Sequence, residues 1–131
     1  MKKLVIIIAA VVIIAGGALY FFMFSMNQEK PEVRVEYSPG DFFTTNVKNS
    51  TRLSKVGIIL VVNEEKLEEQ LASENARIRD TIIFILRDLT DEDFRAEGMQ
   101  EELRERIIEA LNERLGIDNF VEVLFNDFVI A

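Results

Sequence analysis

The side chains best able to do chemistry in this sequence are carboxylates. Three runs concentrate them: "EEKLEEQ" at 64–70, "TDED" at 90–93 and "QEELRERIIE" at 100–109. Paired carboxylates can run general acid–base chemistry when their surroundings drive the two pKa values apart, and that requires a cleft that excludes water. Here the acids alternate with Arg and Lys at helical spacing, which reads as solvated helix surface rather than a reaction centre. The sequence has no His and no Cys, so an imidazole–serine triad, an imidazole metal site and thiol chemistry are all unavailable. "TDED" is similar to an acidic Ca²⁺ loop but lacks the Gly and terminal Glu of an EF-hand. Gly40 and Gly98 stand alone, without a phosphate-cradling glycine loop around them. A net charge of −8 argues against nucleic acid, whose phosphates call for Lys and Arg. The residues therefore predict no enzyme, no cofactor and no metal site, and direct attention to binding surfaces.

The elements that must carry such a surface begin with an uncharged stretch at residues 4–26, "LVIIIAAVVIIAGGALYFFMFSM". As a helix it would extend about 34 Å, enough to cross a hydrocarbon core of roughly 30 Å. Lys2 and Lys3 precede it, and the positive-inside rule then keeps residues 1–3 in the cytoplasm and sends the chain after Met26 outward. Tyr20, Phe21, Phe22 and Phe24 resemble an aromatic belt at the outer interface. "AGGA" at 15–18 offers a signal-peptidase site, but the apolar run continues well past the 7–15 residues of a signal-peptide core, which favours an uncleaved anchor.

Residues 27–51 read as a linker with one short strand, "VRVEY", whose Val33, Val35 and Tyr37 share a face. "SPGD" is a turn signal, "FFTTNV" offers a further edge strand, and the sequon at Asn49 is no more than three common polar residues. Residues 52–131 form the expected extracytoplasmic α+β domain. "RLSKVGIILVVN" alternates Val56, Ile58, Leu60 and Val62 on one side. Asn63 is placed to cap a helix. Between residues 64 and 97, Leu67 and Leu71 form one helical pair, and Ile78, Ile82, Ile85, Leu86 and Leu89 form a second apolar stripe. Whether this is one helix or two, with Asn75 capping the second, stays open. Thr90 and Asp93 have capping-box spacing. A last helix over 97–115 places Leu103, Ile107, Ala110, Leu111 and Leu115 on one face, pairs Glu102 with Arg106, and ends at Gly116. The order strand, strand, helices, strand predicts a small mixed sheet of about three strands with two or three helices on one face.

The segment "FVEVLFNDFVIA" at 120–131 is apolar to its end. Simple alternation sends Val121, Val123, Phe125 and Val129 one way and Phe120, Leu124, Phe128 and Ile130 the other. Both sets are mostly apolar, which predicts a strand covered on both faces. Phe120, Leu124, Phe125, Phe128 and Ile130 are accordingly the candidate core or subunit-interface residues. The second cover is either a neighbouring subunit or the "YSPGDFF" segment folding back.

Several of these stretches together resemble the FliL family of flagellar basal-body-associated proteins, over nearly the whole chain. They are the Lys pair and span, "YSPGDFFTTNV", "LSKVGIILVVNEEKLEEQL", "NARIRDTIIFILRDLT", "EGMQEELRERIIEALN", and an ending close to the family's Val-x-x-Val-x-Phe-x-x-Phe-Val. Two departures are Ala131, where members often carry Gln, and Ala96 in place of a helix-opening Ser or Thr. The resemblance implies a stomatin-like outer domain on an inner-membrane protein of the flagellar motor. It further implies association with stator units and basal body, support of torque, control of rotation in swimming, swarming and chemotaxis, and assembly into a ring. On that picture residues 27–49 set the ring's distance from the membrane. The alternatives are an unrelated membrane-anchored adaptor or assembly factor sharing only the α+β core, and, least favoured, a small carboxylate hydrolase.

Overall fold

The structure is a computed structural model that describes residues 1–26 and 33–131. It divides into two units, 1–32 and 33–131, taken separately below. The expected linker falls partly on 27–32, outside the described residues.

The first unit is one helix, α1 (Lys2–Met26), long and apolar enough to cross a membrane. Its 25 residues give about 37 Å of length. Tyr20 and Phe24, one turn apart, stack with ring centroids 6.4 Å apart.

The second unit is an α+β domain with a four-stranded sheet: β1 (Val35–Tyr37), β2 (Phe43–Asn46), β3 (Leu53–Val62) and β4 (Phe120–Ile130). Between β3 and β4 come a short 3₁₀ turn (Glu65–Leu67), α2 (Glu68–Ser73), α3 (Asn75–Arg87), α4 (Asp91–Arg95) and α5 (Met99–Leu115). β3 is the central strand. β4 runs antiparallel along its whole length, while β1 and β2 pair in succession with its other edge, Val35 opposite Val62 and Phe43 opposite Val56. β1 and β2 are thus one strand interrupted by the loop 38–42, which reconciles four strands with the three-strand outline. All pairings are antiparallel, whereas a mixed sheet was expected. The short turn from β2 to β3 cannot return a parallel strand, and the helical segment brings the chain back to the end where β3 finishes, so β4 starts opposite Val62 and runs in the reverse sense.

One face of the sheet makes the core. Phe43, Val56, Ile58, Leu60 and Val62 pack beneath Ile78, Ile82, Ile85 and Leu86 of α3 and Leu103, Ile107 and Leu111 of α5, all buried. The apolar stripes expected on both helices are the ones that sink. A polar pair shares this face: the Thr45 and Ser54 hydroxyls bond to each other at 2.7 Å, so neither is left unsatisfied.

The helix boundaries sharpen the open question at 64–89. The run breaks at Glu74, giving α2 and α3. Asn75 does not cap α3. It is the first helical residue, and its side chain instead accepts from the Tyr37 hydroxyl (2.7 Å) and donates to the Pro39 carbonyl. Asn63 likewise caps nothing, its side-chain oxygen accepting from the Asn119 amide. The box at Thr90 and Asp93 is present in both directions. α5 is opened by Gly98, at φ 75°, and not by Ala96, so the missing Ser or Thr removes no cap. Its C-terminal Gly116 is left-handed, as the sequence predicts. The ion pair on α5 joins Arg104 to Glu101 at 2.6 Å, in place of Glu102 with Arg106.

Candidate functional site

β4 carries all five candidate residues of the chain's last segment, and its register with β3 decides what each can do. Directly opposed residues in a sheet share a face. The register slips twice, between Gly57 and Ile58 and between Val61 and Val62, leaving Asn126 and Val121 as the extra residues of two bulges. Each bulge reverses the alternation. Phe120, Val123, Phe125, Phe128 and Ile130 therefore lie on the helix-covered face opposite Val62, Leu60, Ile58, Val56 and Ser54. Glu122, Leu124, Asp127 and Val129 lie on the other. This corrects the split expected from simple alternation: of the five candidates, Leu124 alone faces away from the helices.

Phe125 and Phe128 meet edge to face at 5.5 Å, and Phe94 of α4 meets Phe128 at 5.7 Å. The Arg104 guanidinium lies over the Phe125 ring at 5.2 Å. These aromatics seal the margin of the core at β4. The bulge at Asn126 depends on Gly57. Asn126 folds its side chain over that residue so closely that a Cβ there would collide with the amide oxygen.

Within the 33–131 unit, none of the described helices packs on the opposite face. Leu53, Lys55, Gly57, Ile59 and Val61 of β3 share it with Leu124 and Val129 of β4, and the Arg34–Glu122 ion pair lies beside Val61. Its cover is uneven: Val61 is buried, whereas Val129 is 47% exposed, more than a strand buried on both faces would leave. The "YSPGDFF" segment covers part of it, Phe42 lying under the Lys55 ammonium at 4.0 Å. The loop 38–42 is held in turn by Arg79 of α3, which donates to the Pro39 carbonyl at 3.0 Å and the Phe42 carbonyl at 3.1 Å and lies over the Phe43 ring. Tyr37 is tied to the same helix, and burial pushes its phenol pKa up.

The carboxylates do not converge. Glu101 and Glu102 are exposed on α5, and Glu64, Glu65, Glu68 and Glu69 are exposed along the first helical turns. Among the described residues no group of three acids is placed to hold a metal ion. Asp93 titrates below the usual carboxylate range because it accepts the Thr90 backbone N–H and exchanges a side-chain bond with the same residue. That shift belongs to a helix cap and to no reaction.

One residue escaped the sequence reading. Phe84 sits on α3, off the buried stripe, and is 78% exposed. The signal was present in the sequence, since a large aromatic outside a helix's apolar stripe and flanked by Asp80, Arg87 and Asp88 does not serve the core.

The chain thus joins a helix long and apolar enough to cross a membrane to a small α+β domain. The family model for flagellar basal body-associated protein FliL matches residues 37–130, from the end of β1 to the end of β4. The chain belongs to the FliL family. The match spans β2, β3, β4 and every helix between β3 and β4, and the family is a structural and accessory one of the flagellum. No curated protein sequence matches the chain significantly.

Proposed function

We propose that this protein is a flagellar motor accessory factor, held in the cytoplasmic membrane by α1, that associates with the stator units and supports torque and the control of rotation. The observation that carries the reading is the family match across the entire domain, together with a span-length apolar helix ahead of it. Lys2 and Lys3 support an N-terminus in the cytoplasm and a domain on the outer, periplasmic side, and Tyr20, Phe21, Phe22 and Phe24 fit the outer interface. The bare sheet face and the edge of β4 supply surface for partners, and assembly of several copies into a ring around the stator is part of this reading.

Deleting the gene tests it. Cells should still build flagella yet lose swimming speed or swarming, and unchanged motility and torque would refute the role. An alkaline phosphatase fusion after Ala131 should be active, whereas an inactive fusion that is stably made would reverse the topology. Co-purification of stator proteins with the full-length protein from membranes tests the partner separately.

A further inference from the structure

Two features on opposite sides of the domain complement each other. Phe84 is the only strongly exposed large hydrophobic residue on the helices of the domain among the described residues. Arg87 lies one turn further along the same helix and makes no ion pair among those residues. Together they form an apolar projection with a positive charge beside it. Shallow grooves flank it on either side, one floored by Ile83 and the other by Ala110.

On the bare face of the sheet lies a hollow of about 280 Å³. Its floor is Ile59. The loop residues Asp41 and Phe42 form one wall, and Asn126 and Asp127 form the other. A cavity of about 150 Å³ already accommodates a benzene ring, so a phenyl group fits in size. Asp41 and Asp127 make no ion pair among the described residues, so the rim presents two unpaired carboxylates beside the one Lys55 ammonium that lies over Phe42. In a protein of net charge −8, most of the surface of another copy would be repelled from that rim. The Phe84 projection is the exception, because its charge matches the rim and its ring matches the floor.

We infer that Phe84 and Arg87 of one copy seat in the hollow of a second copy, the ring on Ile59 and Phe42 and the guanidinium against Asp41 and Asp127. This rests on the reading that the protein self-assembles, and it names the contact. Projection and hollow lie on opposite sides of the sheet, so the contact is head to tail. Such contacts propagate from copy to copy and either close into a ring or extend as a filament.

The test uses the full-length protein in lipid nanodiscs or detergent. The chain has no cysteine, so the double variant Asp88→Cys, Ser38→Cys introduces the only two thiols, beside the projection and on the rim, and keeps Phe84, Arg87, Asp41 and Asp127. On oxidation it should give a ladder of disulfide-linked multimers, while each single variant gives a dimer at most. Independently, Arg87→Glu should raise the concentration needed for assembly about tenfold, and adding Asp127→Arg in the same chain should restore it. Asp41→Arg, in an exposed loop, replaces the second change if the strand variant melts early. Native mass measurement separates the two readings. An assembled wild type with no ladder and no effect of Arg87→Glu overturns this contact and leaves self-assembly standing. A wild type that stays monomeric at every concentration overturns both.

Discussion

On one face of β3, Val56, Ile58, Leu60 and Val62 are sealed beneath α3 and α5. On the other, Lys55, Gly57 and Ile59 meet no helix, and Leu124 and Val129 lie half open beside them. The two sets alternate residue by residue along ten positions of the same strand. The covered face excludes water and supplies stability. The bare one keeps apolar surface at modest size with charges among it, as sites of transient or assembled contact do. Residues of the open face can thus be changed without touching the core one residue away.

The largest expected effect comes from breaking the covered face. Ile82→Ala removes a fully buried side chain over the sheet and should cost about 2–5 kcal/mol in urea unfolding of the domain. Val129→Ala, on the bare face, should stay within about 0.5 kcal/mol. Equal costs would erase the distinction between the faces. Next, Gly57→Ala drives a methyl group into the Asn126 side chain and should cost about 1–3 kcal/mol, and Asn126→Gly in the same chain should recover much of it. Simple additivity of the two changes would show that they do not meet. A smaller effect is expected at the seam between the faces: Arg79→Met removes two bonds to carbonyls of the loop 38–42 from a half-buried position and should cost about 1 kcal/mol. Hydrogen exchange should rise in that loop and not in β4.

The smallest effect is a pH dependence outside the sheet. The folded Asp93 carboxyl titrates below its ordinary value of 3.8, so its stabilising share is complete above that pH and is lost as pH falls through the lower folded value. Asp93→Asn should lower stability near neutrality by an amount constant with pH there, and the gap from wild type should close as pH falls below about 3.8. A difference between the two proteins that persists unchanged from pH 7 to pH 2 would assign the effect to the cap geometry alone.

The helices and β3 were legible in the sequence because their signals are local. Ile78, Ile82, Ile85 and Leu86 recur at the helical period, and Val56, Ile58, Leu60 and Val62 at the period of a strand. β4 was legible as a strand but not in its facing. Its bulges at Val121 and Asn126 are set by residues more than fifty positions away in sequence, Gly57 most of all. The same non-locality misled the capping expectations. Asn63 and Asn75 have the right chemistry for helix starts, but Asn119, Tyr37 and Pro39 engage their side chains instead. The hollow on the bare face is assembled from β3, β4 and a loop, so no single stretch of sequence announces it.

The interrupted edge formed by β1 and β2 has a mechanical consequence. β1 contributes three paired residues, and Val35, nearest α1 in sequence, is the first of them. A pull on the chain at Val33 directed away from the sheet loads these pairs one after another, like a zipper. Releasing all three gives about 10 Å of slack. Beyond them the load meets the Tyr37 bond to Asn75 and the grip of Arg79 on the loop, which tie the strand to α3. In single-molecule pulling from residue 33, the first extension should therefore be short and then stall, and Arg79→Met should lengthen it. A first step equal in both proteins would mean the load is borne elsewhere.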